Sequence, residues 1–169
     1  TIGFDHIDTE YCAIKGINWF HAPGCNASSV RQYMASALAR LALKHNFSLH
    51  GRKIGIIGVG HVGSKVAQLA KALGMILLLN DPPRERNENI SGFVSLEEIQ
   101  ETADIITFHV PLTYEGPDKT YHMANKEFME KLRKKPLLIN SARGPVVDTN
   151  AVKDAIHRCE ISGFAADVW

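Results

Sequence analysis

The sequence has few cysteines, no long apolar run and no excess of charge of either sign. Its three cysteines, Cys12, Cys25 and Cys159, are odd in number and widely spaced, so they build neither a disulfide framework nor a zinc knuckle. We therefore expect no metal site and a reducing compartment, the cytoplasm. The longest purely apolar stretch, Met75 to Leu79, is far shorter than the roughly 20 residues that span a bilayer, so no membrane partner is expected.

The sequence also has no excess of positive or negative charge. Nineteen Lys and Arg against eighteen Asp and Glu leave a formal charge of +1, which provides no field to hold a polyanion, and nucleic acid is not expected as a partner. Hydrophobic residues, by contrast, make up 45% of the 169 residues, which is enough to bury the core of one or at most two domains. The chain does not begin with Met and opens on no secretory signal, so we expect a piece of a longer protein.

Short apolar runs alternate with amphipathic segments from Lys53 onward, which predicts an α/β fold: a doubly wound parallel sheet with helices on both faces. Asp81-Pro82-Pro83 is expected to end the second strand abruptly. The predicted strands are Lys53–Gly58, Met75–Asn80, Asp104–His109, Leu137–Ser141 and Ser162–Val168, and the predicted helices are His61–Leu73, Ser95–Thr102, Asn125–Leu132 and Thr149–Cys159.

The segment before Lys53 has a different pattern. Asn26 to about His45 predicts one long helix, capped by Asn26, with an apolar stripe. Thr1 to Ala22 predicts two short strand-like runs around one helical turn, which is too little to enclose a core.

A GxGxxG sequence, Gly58-Val-Gly-His-Val-Gly63, joins the first predicted strand to the helix that follows it. Gly58 allows the tight turn, Gly60 lets the backbone approach a pyrophosphate, and Gly63 lets helix and strand pack closely. The helix N-terminus at His61 and Val62 offers free N–H groups to the anion, and His61 is interpreted as a backbone or surface residue rather than a catalyst. In this context the turn predicts a Rossmann-type dinucleotide site.

Asp81 ends the next strand, 18 residues beyond Gly63, where a carboxylate accepts hydrogen bonds from both ribose hydroxyls. The same carboxylate repels a 2′-phosphate, so NAD is favoured over NADP. Arg84 and Arg86 leave this preference open. They are either solvated loop charges, or Arg84 lies beside the adenine.

Three further residues fall at the carboxyl ends of later strands, the edge at which open α/β sheets bind ligands. Arg143 offers a fork of donors that matches a carboxylate, although it could instead pair with a neighbouring acid to hold a loop. His109 is interpreted as a crevice-lining or hydrogen-bonded histidine rather than a base. Asp167 is a candidate for orienting a carboxamide.

Together these motifs resemble the D-isomer-specific 2-hydroxyacid dehydrogenases. Their nucleotide domain carries GxGxxG, an Asp closing the next strand, an HxPL turn, an NxARGxxVD segment and a closing DVW or DVF. The matching segments follow in the same order here: Gly58–Gly63, Asp81, His109–Leu112, Asn140–Asp148 and Asp167–Trp169.

The resemblance implies an enzyme that oxidises a 2-hydroxy acid with NAD. It implies that Arg143 holds the substrate carboxylate and that the base is a histidine, assisted by a glutamate, beyond Trp169. It also implies cofactor contacts along the HxPL and NxARG segments and at the closing Asp, namely His109, Val110, Pro111, Ser141, Ala142 and Asp167.

Three local details narrow the resemblance to a member acting on a phosphorylated 2-hydroxy acid: Pro23–Ala27, Asp81–Arg84 and Gly116–His122. Another dehydrogenase of the family, acting on phosphoglycerate, glycerate or lactate, is one alternative. An NADH-sensing interaction protein similar to the corepressors that share this fold is another.

The resemblance also implies a domain division and an assembly. Residues 1–25 are expected to be a remnant of a substrate domain and its crossover. Residues 26–169 are expected to be an NAD-binding domain, truncated before its C-terminal end. A homodimer is expected to form around the long helix that begins at Asn26.

Overall fold

The computed structural model describes residues 3–4, 6–89 and 91–169. Its centre is an all-parallel sheet of five strands in the order β2-β1-β3-β4-β5. The strands are β1 (Lys53–Ile57), β2 (Ile76–Asn80), β3 (Ile105–Phe108), β4 (Leu137–Asn140) and β5 (Gly163–Ala166).

Helices cover both faces of the sheet. The short helix α1 (Thr9–Ile14) and the long helix α2 (Ala27–His45) precede β1, and α3 (His61–Ala72) connects β1 to β2. The remaining helices are α4 (Pro82–Glu88), α5 (Leu96–Thr102), α6 (Lys126–Glu130) and α7 (Thr149–His157). Among the described residues, none of these helices has the length and apolar character needed to cross a membrane.

The core lies in two layers, one on each side of the sheet. Met34 of α2 and Val66 of α3 pack with Ile105 on one face, whereas Phe108 packs with Val152 of α7 on the other. Every residue of β3 and β4 is buried, as expected for central strands covered on both sides. The predicted fold class is therefore confirmed.

Asp81-Pro82-Pro83 ends β2 at Asn80, as predicted. The same residues also begin helix α4, which was not predicted, because proline has no N–H to lose in the first turn and its φ suits a helix. Two local predictions are wrong. Asn26 stands at the start of α2, but its side chain makes no capping hydrogen bond. The two strand-like runs predicted in residues 1–22 are absent from its described part, residues 3–4 and 6–22, where no neighbouring strand offers a ladder.

The order of the strands creates a crevice at their carboxyl ends. From β1 the chain adds β2 on one side, and it then crosses to add β3 on the other side of β1. The loops that follow β1 and β3 therefore leave the sheet in different directions, and the gap between them is where such sheets bind ligands.

Candidate functional site

The glycine turn after β1 lies at this crevice. Backbone conformation or close packing requires glycine at two of its positions, Gly58 and Gly63. Gly58 has a φ of +87°, and a Cβ on it would lie 2.8 Å from the carbonyl carbon of His109. A Cβ on Gly63 would lie 2.0 Å from the carbonyl oxygen of Gly58. Neither position accepts a side chain, so the turn and the packing of α3 against β1 depend on both.

Gly60 is different. Its φ is negative, at −73°, and nothing lies within 4 Å of the Cβ it lacks. It stands at the N-cap of α3, whose first N–H groups have no partner within the helix. Packing within the chain does not require glycine at this position. The absence of a side chain keeps the space at the helix N-terminus open, which fits a phosphate group bound there.

Asp81 is held rigidly beside the turn. Its carboxylate accepts hydrogen bonds from the backbone N–H of Val59, at 2.7 Å, and from the N–H of Arg84, at 3.1 Å. Each carboxylate oxygen keeps accepting capacity, so the group fits a ribose diol. The predicted position of Asp81 at the end of β2 agrees with this placement.

A pocket, the Asp81 pocket, opens next to this carboxylate. Most of its wall is apolar and includes four prolines, which suits a flat heteroaromatic ring. Its lining consists of Ile57, Gly58, Asn80, Asp81, Pro82, Pro83, Leu96, Val110, Pro111, Thr113, Pro117, Asp118, Lys119, Thr120 and Met123.

Arg84 and Arg86 are both ion-paired. Arg84 donates from Nε and Nη2 to the two carboxylate oxygens of Glu88, at 2.7 and 2.6 Å, and from Nη1 to the carbonyl of Val59. This contact with Glu88 raises the pKa of Arg84 and lowers that of Glu88. Arg86 pairs with Asp118 across the rim of the Asp81 pocket. Arg84 thus contacts the glycine turn through Val59, and it does not line the Asp81 pocket.

A second pocket, the Arg143 pocket, opens on the other side of the turn. Asn140 holds the backbone turn that lines this pocket. Its buried side-chain amide accepts a hydrogen bond from the N–H of Ala142 at 3.1 Å and donates one to the carbonyl of Arg143 at 2.9 Å. The guanidinium of Arg143 donates to the carbonyl of Ala142. The lining consists of Gly3, Phe4, Pro23, Gly24, Asn26, Val30, His61, Val62, His109, Val110, Pro111, Leu112, Thr113, Tyr114, Ser141, Ala142 and Arg143.

His109 joins the ends of β3 and β4. Its Nε2 lies 3.1 Å from the hydroxyl of Thr107, and its Nδ1 lies 3.1 Å from the hydroxyl of Ser141. Burial lowers the pKa of the ring to about 4, so the imidazole is neutral at physiological pH. Both ring nitrogens are engaged, in agreement with the hydrogen-bonded role predicted from the sequence.

The structure brings nearly all of the predicted site residues to this crevice. Val110 and Pro111 line both pockets, and His61 and Val62 line the Arg143 pocket from the start of α3. Gly60 and Gly63, at the start of α3, lie outside both linings. Asp167 is exposed and also lies outside them. Burial, together with the charge of Asp167, raises the pKa of Tyr33 on α2.

Three supporting residues were not singled out from the sequence. Asn140 holds the turn that carries Arg143, and the hydroxyl of Ser64 donates to the carbonyl of Val59 at 2.9 Å, which ties α3 to the glycine turn. The hydroxyl of Thr120 donates to the carbonyl of Pro111 at 2.6 Å. Asn140 lies inside the NxARG segment, so its motif position was the available signal. The other two had none, because their partners are backbone groups of other segments.

A parallel sheet with this order of strands, a glycine turn at its switch point and a carboxylate ending the next strand define a dinucleotide-binding domain. Residues 27–169 match the family model for the D-isomer specific 2-hydroxyacid dehydrogenase, NAD binding domain. The chain belongs to this family, which confirms the resemblance predicted from its motifs.

Among curated proteins, the chain is similar to enzymes named erythronate-4-phosphate dehydrogenase. It is 54% identical over 169 residues to the one from Bacteroides thetaiotaomicron and 42% identical over 173 residues to the one from Salinibacter ruber. All of the chain is covered in both comparisons, but only 49% and 44% of the two relatives. The chain thus spans about half the length of the curated relatives it matches.

Solved structures show the same fold. A D-lactate dehydrogenase from Aquifex aeolicus, complexed with NAD and lactic acid, matches 100% of the chain and 56% of its own length, with a TM-score of 0.76 and 34% identity. An NAD-dependent formate dehydrogenase from Staphylococcus aureus, in complex with NAD, matches 99% of the chain and 56% of its own length, with a TM-score of 0.83 and 28% identity.

Proposed function

We propose that the chain is the NAD-binding part of an erythronate-4-phosphate dehydrogenase. The whole enzyme would oxidise 4-phospho-D-erythronate to (R)-3-hydroxy-2-oxo-4-phosphobutanoate with NAD, on the route to pyridoxal 5′-phosphate. The observation that carries the proposal is the crevice itself. The Asp81 pocket and the Arg143 pocket lie on either side of the glycine turn and share Val110, Pro111 and Thr113 as a common wall.

The residues of the crevice divide the dinucleotide between them. Asp81 accepts hydrogen bonds from the adenosine ribose, whose base enters the apolar Asp81 pocket. The N-terminus of α3, kept open by Gly60, holds the pyrophosphate. Ser141 and Ala142 line the other half, together with His109. When bound, the nicotinamide accepts a hydride from the carbon that carries the 2-hydroxyl.

Arg143 is the residue of this chain that we assign to the substrate. Its guanidinium matches the carboxylate next to the reacting carbon, and holding that carboxylate orients the substrate and stabilises charge. Asn140 and the carbonyl of Ala142 fix the arginine in the pocket. We assign acceptance of the hydroxyl proton to a histidine and a glutamate of the parent enzyme outside these residues, so the chain alone turns over no substrate.

An assay of the full-length parent tests the proposal. We expect NADH to form with 4-phosphoerythronate and not with lactate, glycerate or phosphoglycerate. Arg143→Ala should lower kcat/KM by roughly 10²–10³-fold, whereas Arg133→Ala, at an exposed arginine outside both pockets, should not. Activity restricted to lactate or glycerate would assign the chain to a sister enzyme. NADH-dependent partner binding without any dehydrogenase activity would favour the sensor.

We also propose a homodimer, a cytoplasmic location and the domain division after residue 25. The face of α2 that points away from the core carries small and apolar exposed residues, Ser36, Ala39 and Leu43, which suit close contact with a second helix. Sedimentation of the parent should give a dimer, and a monomer at high concentration would contradict the assembly.

A further inference from the structure

Glu88 occupies the part of Arg84 that would otherwise bind a phosphate. Both Nε and Nη2 donate to the Glu88 carboxylate, at 2.7 and 2.6 Å. A guanidinium uses this same two-pronged edge to hold carboxylates and phosphates. The two side chains are only partly buried, with 32% of Arg84 and 45% of Glu88 exposed, so a soluble anion can reach the pair.

Arg84 stands close to the ribose carboxylate. The backbone N–H of Arg84 donates to one carboxylate oxygen of Asp81 at 3.1 Å. The backbone N–H of Val59 donates to the other carboxylate oxygen of Asp81, and Nη1 of Arg84 donates to the carbonyl of the same Val59. The 2′-phosphate of NADP replaces the hydroxyl that such a carboxylate receives. It would therefore enter between Asp81 and the Arg84 guanidinium.

We propose that Glu88 is a determinant of cofactor preference: it occupies the Arg84 guanidinium and so withholds from NADP the cation that would offset Asp81. The inference rests on the proposed NAD site. Asp81, Glu88 and Arg84 together carry one net negative charge. Removing the Glu88 charge brings the net charge to zero and leaves Nε and Nη2 of Arg84 available to a phosphate. Arg86 stays paired with Asp118 in either case.

Titration of NADH and NADPH into the chain and its Glu88→Gln variant tests this assignment. We expect the Kd for NADPH to fall by about tenfold in the variant, the effect of about one unit charge at a partly solvated site, with the Kd for NADH within about twofold. Glu127→Gln is the matched control, because it also breaks an i,i+4 pair, with Lys131 at 2.9 Å, on a helix outside both pockets. It should change neither constant.

A double variant shows whether the gain passes through Arg84. In Arg84→Gln/Glu88→Gln the improved NADPH binding should disappear, and in Arg84→Lys/Glu88→Gln, which keeps the charge without the fork, it should be partial. Thermal melts check that each variant is folded. If Arg84→Gln/Glu88→Gln does not fold, Arg84→Lys/Glu88→Gln provides the comparison.

The outcomes separate the two claims. Unchanged NADPH binding in Glu88→Gln, while NADH still binds, would overturn the role of Glu88 and leave the NAD site intact. The same gain in a folded Arg84→Gln/Glu88→Gln protein would also overturn it, since the effect would then be one of overall charge. Failure of the unaltered chain to bind NADH would instead overturn the proposed function.

Discussion

Gly60 and Gly63 stand three residues apart, yet the structure gives them different roles. We expect Gly63→Ala to destabilise the chain by about 2–3 kcal/mol, because its Cβ would collide with the carbonyl of Gly58. Gly60→Ala should cost under about 1 kcal/mol, since its Cβ meets nothing, but should weaken NADH binding at least about tenfold. Urea unfolding and calorimetric titration of both variants measure the two effects. Equal NADH affinity in Gly60→Ala would contradict the phosphate site.

His109 makes stability depend on pH. Its pKa is about 4 in the folded chain and about 6.5 when unfolded, so below pH 6.5 the unfolded state binds a proton that the folded state does not. Stability should fall by about 2–3 kcal/mol between pH 6.5 and pH 4 through this residue, and above pH 6.5 the contribution is absent. Denaturation across this range, compared with His109→Gln, isolates the effect. An identical slope in both proteins would contradict it.

At the residue scale, the sequence identified the side chains whose types carry the chemistry. Gly58 and Asp81 were named from the spacing of the glycine motif and the next strand, and Arg143 from its residue type and its place after a strand; each lies at the crevice. Asn140 and Thr120 were not, because an amide or a hydroxyl acquires its role only from the backbone groups that the fold places beside it.

Among the elements, the loop between Thr113 and Thr120 makes a specific prediction. The buried Thr120 hydroxyl donates to the carbonyl of Pro111 at 2.6 Å and accepts from the N–H of Thr113 at 2.8 Å. Thr120→Val keeps the shape but leaves both backbone groups unpaired, so we expect a loss of about 1–3 kcal/mol and weaker NADH binding. Thr120→Ser, which keeps the hydroxyl, should remain close to the unaltered chain. Chemical unfolding of the two variants decides, and equal losses would refute the hydrogen-bond argument.

Element type followed from the sequence better than element ends did. Gly58 was predicted as the last residue of a strand, but its φ of +87° places it in the turn, and β1 ends at Ile57. The two prolines after Asp81 were correctly expected to end β2, but the helix that they begin was not predicted. The Asp81 side chain caps this helix by accepting from the N–H of Arg84, a contact that the local pattern did not reveal.

On the scale of the whole molecule, the parallel sheet was predicted but its strand order was not. Nothing in the local pattern of β3 specifies that it pairs with β1 on the side opposite β2, because strand order depends on contacts between segments distant in sequence. This order positions the proposed NAD site, since it opens the crevice between the glycine turn after β1 and the loop after β3 that carries His109, with Asp81 at the end of the neighbouring strand β2.

Ligand binding should stabilise the whole chain. At NADH concentrations of about 100 times Kd, we expect a gain of about 2.7 kcal/mol, or roughly 5–10 °C in the melting temperature. Asp81→Asn should reduce this shift, because the amide accepts hydrogen bonds more weakly than the carboxylate. Differential scanning fluorimetry measures both proteins, and an equal shift in Asp81→Asn would contradict the ribose assignment.

The most direct test of the account is a crystal structure of the chain with NADH. We predict the pyrophosphate at the N-terminus of α3 over Gly60, the adenosine in the Asp81 pocket with its ribose on Asp81, and the nicotinamide toward Arg143. A dinucleotide bound away from the glycine turn, or one with its two halves exchanged between the pockets, would contradict it.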